Sequence, residues 1–276
     1  MKRSAAFLAV LLVALAALYY TQRHQRLITV SANAVVGMIA VGNELAQRYA
    51  VTVQLTAEEH AYELYIQRVG FALGQRAHRR LPYSFHLLPD RNLMNAFSLP
   101  GGHVYVGEGL LNLMTSEDQL AFILSHEVEH IDHYHCAERV QVQAQLKNSQ
   151  LEVVGALVQI PLQVWEAGYT KDEELEADRE GLRLAVLSGY SPYGAVSLFE
   201  KCARLHEEYV IRAHSPEQEI SELAMQSLKG YFRSHPMPSE RLAQANQLIA
   251  QNGWQDHTTQ KPFRVEYEVH NGEYVR

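Results

Sequence analysis

Ser125-His126-Glu127-Val128-Glu129-His130 carries more structural information than any other run in this 276-residue chain. The two histidines are four residues apart, and at about 3.6 residues per turn an α-helix sets both imidazoles on one face. Glu127 lies beside them. This is the HExxH pattern: two nitrogen ligands for a zinc ion, one ion per chain, and a carboxylate placed as general base for a bound water. The pattern has that meaning only on a helix.

The flanking residues supply the helix. Thr115-Ser116-Glu117-Asp118-Gln119 offers a hydroxyl N-cap followed three residues later by Gln, with acids in the first turn. Leu120, Ile123, Leu124, Val128 and Ile131 then recur at helical spacing, an apolar stripe beside the histidine face.

A catalytic zinc takes three protein ligands and leaves one position for water. His133 shares the histidine face but sits about 10 Å along the axis from His126, too far for one tetrahedral ion. No glycine between His130 and Gly155 turns the chain back. His135 is expected on the opposite face, as a packed or hydrogen-bonded core histidine. The third ligand therefore comes from another segment. Lys171-Asp172-Glu173-Glu174-Leu175-Glu176-Ala177-Asp178-Arg179-Glu180-Gly181 is the best source, an acid-rich helix start. Glu174 and Asp178 share one face. Glu174 can reach the zinc from there, and Asp178 can accept a ligand histidine's second N–H. Glu176 and Glu180 pair on a different face, as a solvated acidic stripe.

With these residues in hand the chain resembles the M48 metallopeptidases, the group that contains the CAAX prenyl proteases, the bacterial heat-shock membrane protease and several envelope quality-control proteases. The resemblance rests on His126-Glu127-Val128-Glu129-His130 followed by Glu173-Glu174-Leu175-Glu176-Ala177-Asp178-Arg179-Glu180-Gly181, and it extends further. Asn95-Ala96-Phe97-Ser98-Leu99-Pro100-Gly101-Gly102-His103-Val104-Tyr105-Val106 is similar to the segment upstream of the zinc helix. Ser188-Gly189-Tyr190-Ser191-Pro192, and Ser234-His235-Pro236 with Arg241, match the downstream signatures. The resemblance implies an α+β, predominantly α-helical, gluzincin-like zincin domain over residues 58–250, with a small β-sheet beside the zinc helix. It makes His126, His130 and Glu174 the zinc ligands and Glu127 the base. One departure is Glu129, where the family usually has a small residue.

Composition is consistent with one large domain: 47% of residues are apolar and the net charge is −7. The acidic balance and lack of basic runs argue against nucleic acid as a partner. Lys2-Arg3 precedes an uncharged run from Ala5 to Tyr20. Residues 1–26 thus read as a signal-anchor or a cleaved signal peptide, carrying the chain to a membrane or the envelope (periplasm). Residues 27–57 are a connecting segment, and residues 58–75 an amphipathic helix burying Tyr62, Tyr65, Val69 and Leu73.

Residues 81–106 carry the β structure, with Pro100-Gly101-Gly102 as a turn. Asn95, Ala96, Phe97 and Ser98 are the candidate edge strand to which a substrate would add as a further strand; a plain hairpin is the alternative. Residues 139–163 and 192–209 read as helices. His235, in a loop before Pro236, either supports the oxyanion of the tetrahedral intermediate, caps the zinc in a latent state, or is a structural loop histidine. Arg241 pairs with an active-site acid or steadies a substrate carbonyl. In the tail, residues 251–276, alternating Phe263, Val265, Tyr267 and Val269 before Asn271-Gly272 predict a β-hairpin. Cys136 and Cys202 form a disulfide or remain two buried thiols. The whole reads as a membrane-anchored or exported zinc endopeptidase acting on membrane-associated or misfolded envelope proteins. The alternative is an envelope chaperone or assembly factor on a protease fold.

Overall fold

Three helices begin with the same device, a hydroxyl side chain that caps the third helical N–H while that residue's Glu or Gln returns a bond to the cap. Thr56 and Glu59 open α1 (Ala57–Gly74), Ser116 and Gln119 open the histidine helix, and Thr170 and Glu173 open the acidic one. The computed structural model describes residues 37, 39–47, 54–136, 169–212, 238–265, 269–270 and 273–274. The apolar N-terminal run, the expected helix at 139–163 and His235 lie outside these. Among the described residues no helix is long and apolar enough to cross a membrane. Residues 39–47, within the expected connecting segment, are helical and bury Val41 and Leu45.

From Met38 onward the chain forms one compact unit. After α1 come β1 (Ser84–Leu88), β2 (Ala96–Leu99), β3 (His103–Gly107), α2 (Glu108–Leu113), α3 (Glu117–Asp132), α4 (Lys171–Leu187), α5 (Tyr193–Arg212) and α6 (Pro238–Asn252). The three strands pair in the order β1-β3-β2. β2 and β3 form an antiparallel hairpin with Phe97 opposite Tyr105, turned by Gly101 and Gly102 at positive φ, where a side chain would be strained. β3 also pairs in parallel with β1, Phe85 opposite Val104. The parallel pair is a feature that alternation alone does not predict.

Every residue of α3 is buried. Its apolar side meets α1 and the sheet, while α5 packs against it through an edge-to-face contact of Phe122 with Phe199 at 5.3 Å. α4 lies closest of all. A Cβ added at Gly181 would stand 2.9 Å from the His126 nitrogen and 3.0 Å from its Cα, so only glycine lets the two backbones approach this far.

The acids in the first turn of α3 are also buried, and each has partners. Glu117 accepts from Tyr65 Oη and Arg68 Nη2, both at 2.8 Å. Asp118 accepts the backbone N–H groups of Ser191 at 2.7 Å and Lys261 at 2.5 Å. The Glu117 N–H donates to the Lys261 carbonyl at 2.9 Å, the Phe263 N–H donates to the Thr115 carbonyl at 3.3 Å, and Phe263 packs edge-on to Tyr65. The tail thus docks on the start of the histidine helix before ending in the antiparallel pair β4 (Val269–His270) and β5 (Glu273–Tyr274). Cys136 and Cys202 are both free and buried.

Candidate metal centre

Helical spacing places His126 and His130 one turn apart on α3, and α4 lays Glu174 against them. The Nε2 atoms of the two histidines are 3.0 Å apart. The Glu174 carboxylate comes within 3.5 Å of each. All three side chains are buried, and their facing atoms lie within 4.8 Å of one another. Glu127, also on α3, is 1% exposed.

The remaining nitrogens of the two rings are occupied from behind. Asp178 Oδ1 accepts from His126 Nδ1 at 2.9 Å. Arg241, from α6, grips the same carboxylate in a fork, Nε to Oδ2 at 2.6 Å and Nη2 to Oδ1 at 2.5 Å. This guanidinium is 1% exposed and lies 4.7 Å from the centre of the Phe199 ring. Of the two readings of Arg241, the structure realises the ion pair.

The electrostatics suit a cation. Burial raises the Asp178 carboxyl, but the Arg241 charge and its hydrogen bonds outweigh that and hold the group below its ordinary value. Burial opposes a charge on His126, yet hydrogen bonds to Asp178 and Glu174 lift its pKa to about 9. Burial drives His130 the other way, well below the ordinary histidine value, and the nearby His126 adds to this. The pair therefore accommodates one positive charge between its rings. With Nδ1 of His126 donating to Asp178, its Nε2 faces His130 and Glu174, where a bound cation would take the place of the ring's second proton. Donors 2.0–2.1 Å from a tetrahedral zinc would be about 3.3 Å apart, close to the separations found. The residues fit the ion.

His133 caps the C-terminus of α3 and sits away from the trio. Its Nδ1 is 3.2 Å from Glu129 Oε2, so it is His133 that balances the unusual Glu129. Through that hydrogen bond His133 is raised to about 9. His135, expected on the opposite face, is not there. α3 ends at Asp132, and Tyr134 adopts a left-handed φ of 62°. The chain turns back, and His135 Nδ1 meets His130 Nδ1 at 2.9 Å. The expectation failed because it continued the helix three residues too far; its hydrogen-bonded, buried character holds. Tyr169 stacks on the His130 ring at 3.7 Å and 16°, a contact that nothing in the sequence announces.

Glu180 is less solvated than the acidic-stripe reading implies, because Arg179 and Arg183 clasp it, each at 2.7 Å. β2 lies at one edge of the three-stranded sheet among the described residues, and the pairing reaches Asn95, whose carbonyl accepts the Gly107 N–H at 2.9 Å. Asn95, Ala96, Phe97 and Ser98 are all buried. Ser98 Oγ touches Cys136 Sγ at 3.2 Å, just beyond the end of α3.

Two helices that aim an imidazole pair and a carboxylate at one buried point define a metal-binding type of site. The chain belongs to peptidase family M48, whose family model matches residues 60–249. It is 28% identical to the beta-barrel assembly-enhancing protease of Escherichia coli (strain K12) over 66% of this chain and 37% of that protein. It is 29% identical to the mitochondrial metalloendopeptidase OMA1 of Arabidopsis thaliana, over 58% of this chain and 31% of the relative. For the protein of the same name in Schizosaccharomyces pombe the values are 31%, 51% and 44%. The chain spans less than half the length of these curated relatives.

Proposed function

We propose that this chain is a zinc-dependent endopeptidase in which His126, His130 and Glu174 hold the ion and Glu127 is the general base. The observation that carries the reading is the 3.0 Å approach of two buried imidazole Nε2 atoms beside the Glu174 carboxylate, with Asp178 committing His126 Nδ1 as a donor. Bound there, zinc would polarise the scissile carbonyl and acidify water. Glu127 takes the proton of the attacking water and returns it to the departing amine. Asp178, anchored by Arg241, keeps His126 in the ligating tautomer. Asn95, Ala96, Phe97 and Ser98 offer an edge along which an extended peptide adds as a strand. His235 is the assistant at the oxyanion or a cap on the ion.

The substrates we infer are membrane-associated or misfolded proteins of the bacterial envelope, reached by a chain anchored or exported through residues 1–26. Support comes from the apolar run at Ala5–Tyr20 and from the likeness to a protein named for β-barrel assembly. Peptidase domain and tail divide near residue 250 in this reading.

The test is zinc content and casein cleavage by wild type, Glu127→Gln and His235→Ala. Zinc retained with cleavage abolished in Glu127→Gln is the expected result. His235→Ala cleaves faster if His235 caps the ion and slower if it supports the oxyanion. Zinc without cleavage in both wild type and His235→Ala would favour an envelope chaperone, and a chain that holds no zinc would sink the proposal.

A further inference from the structure

We infer that His135 and Glu176 form a tautomer relay that aims the Nε2 lone pair of His130 into the metal centre; the inference rests on the metal-site reading above. Two Nδ1 atoms 2.9 Å apart cannot both carry protons, and cannot both lack them and still bond. One donates and the other accepts. Glu176 Oε2 lies 3.5 Å from the far nitrogen of His135, Nε2, and favours a proton there. That leaves His135 Nδ1 as the acceptor. His130 must then donate through its own Nδ1; its Nε2 keeps a lone pair and accepts across the 3.0 Å contact with His126 Nε2, whose ring, as close to Glu174 as His130 is, carries the shared proton.

The two zinc-facing histidines are thus set by different means. His126 is served in one step by Asp178, which is buried and gripped by Arg241. His130 is served in two steps, through a buried imidazole to a carboxylate that is 40% exposed. Tyr169 supplies the remaining constraint: its ring stacked on His130 at 3.7 Å resists rotation of the imidazole.

The backbone provides an independent observation. A left-handed conformation at a bulky residue such as Tyr134 costs about 1–2 kcal/mol, and strain of this kind persists where the surroundings impose it. Here the turn at Tyr134 is what returns His135 to His130. Arg79 holds it, with its guanidinium 4.1 Å from the centre of the Tyr134 ring and Nη1 donating to the Ile131 carbonyl at 2.8 Å. His135 is a positioning residue in this scheme and touches neither substrate nor ion.

The experiment is long-range ¹H–¹⁵N spectroscopy of the full chain, ¹⁵N-labelled at histidine and metal-free, followed by zinc titration against a chromophoric chelator. The expected spectra show His130 as the Nδ1–H tautomer and His135 as the Nε2–H tautomer. An Nε2–H proton on His130 overturns the relay. In the titration, His135→Leu weakens zinc binding about 10–100-fold, while His135→Asn, whose Oδ1 can accept near the Nδ1 position, stays within a few-fold of wild type. Equal binding by all three proteins, or equal loss in both variants, overturns it too. Should the His135 variants not fold, Glu176→Leu at its half-exposed position is read instead, and the His135 tautomer becomes mixed; an unchanged tautomer counts against the relay. Wild type that binds no zinc defeats the peptidase reading, and the metal-free spectra still judge the relay.

Discussion

Replacing Arg241 with leucine separates what holds the metal centre together from what tunes it. The guanidinium is 1% exposed and makes two short bonds to Asp178, whose side chain is 4% exposed. Arg241→Leu leaves that carboxylate buried without the guanidinium, with His126 as its remaining partner. Removing one member of a buried ion pair costs about 3–5 kcal/mol, well above the cost of an ordinary surface substitution. The penalty has a pH signature. Against burial, Arg241 first and His126 second hold Asp178 below its ordinary pKa; without Arg241, burial pulls the group back up. The variant's deficit should therefore shrink as pH falls and the carboxyl takes up a proton. In Asp178→Leu/Arg241→Leu both charges are gone, and paired replacement by apolar residues is often neutral in stability. The double variant should thus regain most of what the single one lost. Zinc affinity should not recover, because His126 has lost its acceptor, a change worth about 10–100-fold. Urea unfolding followed by circular dichroism gives the stabilities, and chelator competition gives the affinities. A single variant within 1 kcal/mol of wild type, or a double variant less stable than the single one, would refute the reasoning.

Two further outcomes follow from local geometry. Gly181→Ala should destabilise the fold by about 1–3 kcal/mol and loosen zinc binding, because the added methyl stands 2.9 Å from the His126 nitrogen; helix propensity alone predicts stabilisation, so the sign in a urea melt is diagnostic. For His133, the folded pKa of about 9 exceeds the unfolded value of about 6.5. On the His133 side the pair with Glu129 contributes fully below pH 6.5 and is lost as pH rises through 9; burial raises the Glu129 carboxyl, which weakens the pair again toward acid. The stability advantage of wild type over Glu129→Gln should accordingly narrow between pH 6.5 and 9.5, as unfolding midpoints will show.

The elements nearest the chemistry were legible because their determinants are local. Ser116 and Gln119 mark the start of α3, and i, i+4 spacing puts His126 with His130 and Glu174 with Asp178 without any knowledge of tertiary structure. What escaped depends on contacts remote in sequence or on a conformation without a residue signature. Nothing in Asp132-His133-Tyr134-His135 announces a left-handed tyrosine, since such turns are usually made by glycine or asparagine. Alternation in Ser84–Leu88 and His103–Gly107 identifies strands but is silent on whether they run parallel. Arg241 offers a charge, and only the fold chooses Asp178 as its partner.

The docking of the tail on α3 has a consequence for the timing of synthesis. Lys261 donates to Asp118 across 143 residues, and Phe263 closes on Thr115 from a similar distance. Contacts of such long range form late in folding, and on the ribosome they wait for residue 263 to emerge. A nascent chain could assemble HExxH, the sheet and the acidic helix while the N-terminus of α3 still lacks this brace. The helix that carries the proposed base would reach its full set of partners only after nearly all of the domain has been translated, which ties maturation of the site to the far end of the matched region and beyond.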